Sequence, residues 1–184
     1  MADALILIAE GSEEIEAITP GDVLVRAGVA VTYAGEGALS MRGSRGLPLG
    51  ADIAIGRLGD RLFDAVVIPG GMKGAQNLAS SADVSRIVRA HAAAGKVIAA
   101  ICAAPAVVLT PLGLLEGRRA TCYPGLETRF GATTEHAPGD VVVDRTFITS
   151  RGPGTAMAFA LCLAAMLAGD TTAEKVREGL LAAS

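Results

Sequence analysis

Residues 96–109, KVIAAICAAPAVVL, hold the most informative junction in the chain. The apolar run from Val97 to Ile101 predicts a buried strand, and residues 103–109 predict the start of a helix. Cys102 falls between them, on a sharp strand-to-helix turn built like a nucleophile elbow. The unpaired N–H groups and partial positive charge of a helix N-terminus favour a thiolate and lower the pKa of its thiol. Cys102 is therefore a candidate nucleophile or redox sensor, and the alternative is a cysteine buried for packing.

Strand and helix signals alternate on both sides of this junction. Short apolar runs bounded by glycine and proline predict strands, and apolar residues repeating every three or four positions predict helices. This alternation predicts an α/β fold with a mostly parallel sheet and helices on both of its faces. The predicted strands are 4–9, 29–34, small pieces within 39–59, 65–68, 97–101, 118–122, 141–143 and 146–149; the predicted helices are 13–27 with a break near Thr19-Pro20, 81–94, 103–109, 156–168 and 173–183.

Length, composition and charge narrow the possible classes of protein. A chain of 184 residues predicts one domain, spanning 1–184. Apolar residues make up 51% but aromatic residues only 3%, so we expect a closely packed core of Ala, Val, Leu and Ile. A net charge of −3 without a basic cluster argues against a nucleic-acid partner. His91 and His136 are too scattered to indicate a zinc site, so we expect no metal.

The sequence also predicts the compartment. The N-terminus lacks the basic region of a secretion signal, and the longest apolar stretch, 156–168, is 13 residues long, too short for a membrane span. The three cysteines, Cys102, Cys122 and Cys162, have neither disulfide nor metal spacing. An odd number of cysteines without a secretion signal is typical of a reducing compartment, so we expect a cytoplasmic protein with no membrane partner.

Three segments with functional character fall at the carboxyl ends of predicted strands. Residues 10–16 follow the first strand, Gly70 and Gly71 follow the strand at 65–68, and Cys102 follows the strand at 97–101. Ligands of open parallel sheets bind outside the carboxyl ends of the strands. These segments therefore predict one site built around Cys102.

Four motifs, in order along the chain, resemble the ThiJ/PfpI superfamily and specifically its DJ-1 branch. They are GSEEIE at 11–16, VIPGG at 67–71, AAICAAP at 99–105 and TSRGPGT at 149–155. The resemblance implies a flavodoxin-like sandwich, a homodimer and a reactive thiol at Cys102. It also implies that Glu16 lies within hydrogen-bond reach of Cys102, protonated and donating to the thiolate. A carboxyl in a poorly solvated pocket has a raised pKa, so a neutral donor is physically reasonable.

The same resemblance assigns roles to further residues. Backbone N–H groups of Gly71 and Ala103 form an oxyanion-type hole near the sulfur. The other substrate-binding positions that it implies are Gly70, Tyr123, Pro153, Arg26 and Arg45. The residues alone allow simpler roles: a solvated helix position for Glu16, an ordinary turn at Gly71, a helix start at Pro153 and a solvated surface for the two arginines.

The chain departs from its relatives where many of them carry a histidine. Tyr123 stands at that position, and Ala103 stands where the protease-like branch has a histidine directly after the thiol. Without a local Cys–His pair the chain lacks the general base of a cysteine protease, which argues against proteolysis. Glu16 is left as the acid/base partner of Cys102, and whether His136 folds back to the site is left open.

Two functions fit these residues. The first is a cofactor-free, glutathione-independent glyoxalase, or a related deglycase, that converts methylglyoxal or glyoxal to the 2-hydroxy acid. Cys102 adds to the aldehyde, and Glu16 moves the proton between the two carbons. The second is a non-catalytic oxidative-stress sensor, or a chaperone-like protein, in which Cys102 is oxidised to a sulfinate. No phosphate-binding loop is present, which argues against a role on phosphorylated thiazoles.

Overall fold

The computed structural model describes residues 1–183. The strands are β1 Asp3–Ile8, β2 Ala30–Gly35, β3 Ser40–Arg42, β4 Pro48–Gly50, β5 Ile53–Ala54, β6 Ala65–Ile68, β7 Val97–Ile101, β8 Arg119–Ala120, β9 Glu135–His136, β10 Val141–Asp144 and β11 Phe147–Ser150. The helices are α1 Glu14–Arg26, α2 Met72–Ser80, α3 Ala82–Ala93, α4 Ala156–Ala168 and α5 Asp170–Gly179.

Seven strands form the central sheet, in the order β10-β11-β7-β6-β1-β2-β5. Every neighbouring pair is parallel except the β10–β11 hairpin. The strands β6 and β7 are buried along their whole length, which requires cover on both faces of the sheet. α1 packs with α4 and α4 with α5, whereas α2 packs with α3, so the helices form two groups. The predicted α/β sandwich with a mostly parallel sheet is confirmed.

Helix α1 differs from the prediction because it continues through Pro20 without a break. Proline removes one intrahelical hydrogen bond and usually kinks a helix. Here Pro20 is buried, as are Ala17 and Val23, and α1 as a whole packs against α4 and the sheet. The packing of α1 is a tertiary contact, which the sequence pattern does not report.

The segment after Cys102 is the second difference. Residues 103–109 do not form a regular helix; a turn leads into a single five-residue π-helical turn, Pro105–Leu109. The bond from the Thr110 N–H to the Pro105 oxygen, at 3.0 Å, has the five-residue spacing of a π-turn. A helical segment therefore does start shortly after Cys102, but its hydrogen bonds over Pro105–Leu109 are of the π type.

Smaller differences concern element ends. The strand expected at 118–122 is only Arg119–Ala120, and the last helix is Asp170–Gly179 rather than 173–183. Helix α4 has the predicted bounds, Ala156–Ala168. Within residues 1–183, no helix combines the length and the apolarity that a membrane crossing needs.

Candidate active site

Cys102 sits in a conformation that few side chains adopt. Its φ is 63°, in the left-handed region, directly after the last residue of β7. The backbone N–H of Cys102 donates to the Ser150 oxygen at 2.9 Å, and its oxygen accepts from the Tyr123 N–H at 2.8 Å. Left-handed backbone costs a non-glycine residue about 1–3 kcal/mol and persists where the surroundings impose it. The two bonds hold Cys102 in this turn from both sides.

Gly70, at the end of β6, is packed against the thiol and the carboxyl together. A Cβ at this position would lie 2.7 Å from Cys102 Cβ, 2.8 Å from Glu16 Oε2 and 2.9 Å from the Ala103 nitrogen. A Cβ closer than 3.0 Å to these atoms would force a shift, because the Ala103 nitrogen belongs to the backbone and cannot move aside like the end of a flexible side chain. The absence of a side chain at residue 70 is therefore what allows Cys102 and Glu16 to approach each other.

Glu16 lies in the first turn of α1 and is completely buried. Its Oε2 accepts the Gly70 N–H at 2.8 Å, whereas Oε1 has no hydrogen-bond partner within residues 1–183. Burial raises the pKa of Glu16 to about 7, although the neighbouring Cys102 thiol and the Gly70 N–H favour the ionised form. The carboxyl is thus held at a pKa where it can both accept and release a proton near neutral pH.

Cys102 as a whole residue is 8% exposed. Burial, followed by the charge of the neighbouring Glu16, raises the pKa of Cys102 to about 12, while the backbone N–H groups of Gly71 and Ala103 favour the thiolate. The prediction of a lowered thiol pKa is therefore wrong when Glu16 is ionised. The sequence revealed the N–H donors, but not the burial and the adjacent carboxylate that outweigh them.

A cavity of about 240 Å³ opens above the thiol. Six of the residues that the sequence assigned to the site line it: Arg45, Gly71, Cys102, Ala103, Tyr123 and Pro153. Glu16 and Gly70 are buried and contact Cys102 without lining the cavity. Glu13, which lies in the predicted segment 10–16, also lines the cavity, and so do three residues that the sequence did not indicate: Ser44, Met72 and Leu126.

Ser44 and Arg45 reach the cavity because Glu14 holds their loop. The Glu14 carboxylate is 6% exposed and accepts from Ser44 Oγ at 3.2 Å and from the Arg45 N–H at 2.9 Å. A Cβ on Gly43 would lie 2.4 Å from Glu14 Oε1, so the loop passes close over this side chain. The glycine at 43, beside a polar run, was the signal in the sequence that could have pointed to this contact.

Arg26 does not belong to the cavity. It lies in the last turn of α1 and forms an ion pair with Asp22 at 2.9 Å. With a rise of about 1.5 Å per residue, ten residues of helix place it roughly 15 Å from Glu16 along the axis. Arg26 borders a separate depression with Thr172 and Lys175, so the predicted substrate contact is not made within this chain.

His136 does not line the Cys102 cavity either. It borders a different depression together with Cys122 and Arg151, and its ring centroid lies 6.2 Å from that of Phe130. The question that the sequence left open is thereby answered for the single chain. Among residues 1–183, no three His, Cys, Asp or Glu side chains converge as a set that could hold a metal ion.

Comparison with known proteins identifies the family. The family model described as DJ-1/PfpI matches residues 2–166. The chain belongs to the DJ-1/PfpI family. It is 40% identical over 182 residues to the Drosophila melanogaster protein dj-1beta, covering 98% of this chain and 97% of that protein. The structure of oxidized DJ-1 from Toxoplasma gondii superposes with a TM-score of 0.96 at 40% identity, over the whole of both chains.

A further DJ-1/PfpI relative carries a functional name. The Caenorhabditis elegans protein named glutathione-independent glyoxalase DJR-1.2 is 36% identical over 168 residues, covering 90% of this chain and 89% of that protein. The resemblance stated from the four motifs is confirmed, and so is the flavodoxin-like fold that it implied.

Proposed function

We propose that this protein is a glutathione-independent glyoxalase that converts methylglyoxal and glyoxal to 2-hydroxy acids without a cofactor. The observation that carries the proposal is the buried Glu16 carboxyl interacting with the Cys102 thiol, which itself lines a cavity. A nucleophile, a proton acceptor and N–H donors then share one small volume. The name of the C. elegans relative supports the same reaction.

In the first step the thiol adds to the aldehyde carbon. Because the thiol pKa is high, its proton has to leave as the S–C bond forms, and the Glu16 carboxylate is the adjacent acceptor. The aldehyde oxygen becomes an oxyanion, which the N–H groups of Gly71 and Ala103 stabilise. Glu16 then returns the proton to this oxygen, giving a neutral hemithioacetal and a carboxylate again.

In the second step Glu16 moves a proton between the two substrate carbons. The carboxylate removes the proton from the carbon bonded to sulfur, which gives an enediol, and delivers it to the neighbouring carbon, while the hydroxyl proton passes to the second oxygen. The product is a thioester of the 2-hydroxy acid on Cys102. A pKa of about 7 suits Glu16 for both directions of transfer.

In the last step water attacks the thioester carbonyl, the C–S bond breaks and the sulfur regains a proton. One water and one 2-oxoaldehyde give one 2-hydroxy acid, so the reaction needs no oxidant or reductant. Deglycase activity would share the first step, because it also begins with attack of Cys102 on an aldehyde-derived carbon.

We propose a homodimer as the working assembly. Ile15, Ile18 and Val25 are 52%, 49% and 62% exposed on the outer face of α1, an apolar surface that a second copy would cover. DJ-1 family proteins are commonly homodimers. The partner would also bring additional residues close to the region of α1 that carries Arg26.

An oxidative-stress sensor is the second candidate function. The N–H groups of Gly71 and Ala103 would hold a sulfinate on Cys102 as well as they hold an oxyanion, and the T. gondii structure is of an oxidized DJ-1. The thiolate is the species that peroxide oxidises, however, and the raised thiol pKa leaves little thiolate at neutral pH. Base-assisted addition to an aldehyde is the better match.

The experiment that tests the proposal follows the covalent intermediate. Glu16→Gln, treated with methylglyoxal, is expected to form the Cys102 adduct much more slowly than the wild type, as followed by intact-protein mass spectrometry, and to form no lactate, because the Glu16 carboxylate acts in both of the first two steps. The control Glu116→Gln changes an exposed carboxyl and should form lactate like the wild type. Lactate formation by Glu16→Gln at the wild-type rate would contradict the proton transfer by Glu16.

A further inference from the structure

We propose that the Cys102 cavity contains an apolar subsite for a bulky, above all aromatic, substituent of a 2-oxoaldehyde, with Tyr123 as the residue that determines this specificity. The inference rests on the proposed function and narrows its substrate class. It predicts that phenylglyoxal is used more efficiently than methylglyoxal.

The size of the cavity is the first argument. An apolar cavity of about 150 Å³ is sufficient to hold a benzene molecule. The cavity above Cys102 has about 240 Å³, which accommodates an aromatic ring together with the two carbonyl carbons. Methylglyoxal places only a methyl group beyond its dicarbonyl, so it leaves most of this volume to water.

The lining is the second argument. Large apolar side chains border the cavity and are unusually exposed: Tyr123 is 50% and Met72 is 40% exposed. Leu126 and Pro153 complete this wall, next to the thiol. A ring bound there would remove apolar surface of both partners from water, at about 25 cal/mol per Å². A methyl group would remove much less.

Tyr123 is fixed at its backbone and presents its ring to the cavity. Its backbone N–H donates to the backbone oxygen of Cys102 at 2.8 Å, and its backbone oxygen accepts from the Leu126 N–H at 3.0 Å. A Cβ on Gly152 would lie 3.4 Å from Tyr123 Cδ2, so the ring rests against the backbone there. The hydroxyl has no hydrogen-bond partner within residues 1–183, which indicates that Tyr123 acts through its aromatic face.

The test compares kcat/KM for phenylglyoxal and for methylglyoxal, measured as formation of mandelate and of lactate. In the wild type we expect a ratio of at least tenfold in favour of phenylglyoxal. Tyr123→Ala should lower this ratio about tenfold, as expected for the loss of an apolar contact in a pocket, and Tyr123→Phe should keep it. The control Val143→Ala removes a 44% exposed apolar side chain from β10, outside the cavity, and should leave the ratio unchanged.

A second measurement keeps the subsite testable without turnover. Acetophenone, an unreactive aryl ketone, is expected to slow alkylation of Cys102 by iodoacetamide in the wild type and in Tyr123→Phe, but not in Tyr123→Ala, as followed by mass spectrometry of the Cys102 peptide. Protection without any acid formation would refute the proposed glyoxalase and support the subsite. A wild-type ratio of one or below, or equal protection in Tyr123→Ala, would overturn the inference.

Discussion

Glu16 and Gly70 are joined by a 2.8 Å hydrogen bond that fixes one oxygen of a carboxyl which also interacts with the Cys102 thiol, and leaves the other oxygen without a hydrogen-bond partner within residues 1–183. The Gly70 N–H lies two residues after the end of β6, so the sheet edge sets the position of the acid. A buried carboxyl with one bonded and one unbonded oxygen is a pre-oriented proton acceptor.

The pH dependence of kcat/KM should follow the ionisation of Glu16. Addition of the thiol needs Glu16 ionised, and the pKa of Glu16 is raised to about 7, so kcat/KM for methylglyoxal should rise between pH 6 and 8. The thiol pKa of about 12 predicts no second inflection in this range. Steady-state rates over pH 5.5–9 measure both features; a flat profile, or one that falls as pH rises, would exclude Glu16 as the base.

The same carboxyl should make the protein less stable at high pH. The folded-state pKa of about 7 exceeds the ordinary value of 4.5, so the folded state holds the proton more tightly and loses stability as pH rises from 4.5 through 7. The difference corresponds to at most about 3 kcal/mol. Glu16→Gln should therefore gain free energy of unfolding over wild type at pH 8 but not at pH 4. Denaturant titrations at the two values check this, and an equal effect at both would contradict it.

Gly70→Ala should abolish activity or folding. Its Cβ would meet Cys102 Cβ at 2.7 Å and Glu16 Oε2 at 2.8 Å, so β6 or the thiol turn has to move. Gly50→Ala is the matched control, because a Cβ there meets nothing within 4 Å. Circular dichroism separates misfolding from a displaced site; a Gly70→Ala protein with wild-type kcat would show that the close packing is not needed.

Because His91 is buried in its neutral form, we expect the free energy of unfolding to fall in acid. It is fully buried in α3; its Nδ1 donates to the Ile87 oxygen at 2.7 Å, and its Nε2 accepts the Phe63 N–H at 2.9 Å, so the bonds require the neutral ring. Burial lowers the pKa of His91 below its ordinary value of 6.5. The unfolded chain then binds more protons, and stability falls as pH drops below 6.5.

His91→Gln provides the comparison for that acid loss. Its free energy of unfolding should depend less on pH between 6.5 and 5 than that of the wild type, whereas the exposed His136→Gln should behave like the wild type. Thermal or urea unfolding at several pH values gives the slopes. An unchanged slope in His91→Gln would assign the acid sensitivity to other groups.

Much of the fold was accessible from the sequence because its strands are continuous apolar runs. Val97–Ile101 and Ala65–Ile68 are buried on both faces, so their composition predicts both their existence and their parallel neighbours. The convergence of Glu16, Gly71 and Cys102 also followed from strand ends. That the chain forms a single domain stays a prediction.

The features that the sequence did not predict depend on contacts between residues far apart in the chain. Helix α1 continues through a buried Pro20, and the placement of Ser44 comes from the buried Glu14 carboxylate, 30 residues away in the chain. The raised pKa of Cys102 comes from burial and from Glu16, neither of which a strand-to-helix pattern reports. Local patterns located the nucleophile, and tertiary packing set its chemistry.

The most direct test of the glyoxalase proposal is formation of lactate from methylglyoxal without glutathione, by the wild type and by Cys102→Ser. We expect one lactate for each methylglyoxal consumed by the wild type and none above background in Cys102→Ser, with Cys162→Ser as a control that retains activity. Equal lactate formation by Cys102→Ser would contradict the nucleophile, and no lactate from the wild type would contradict the function.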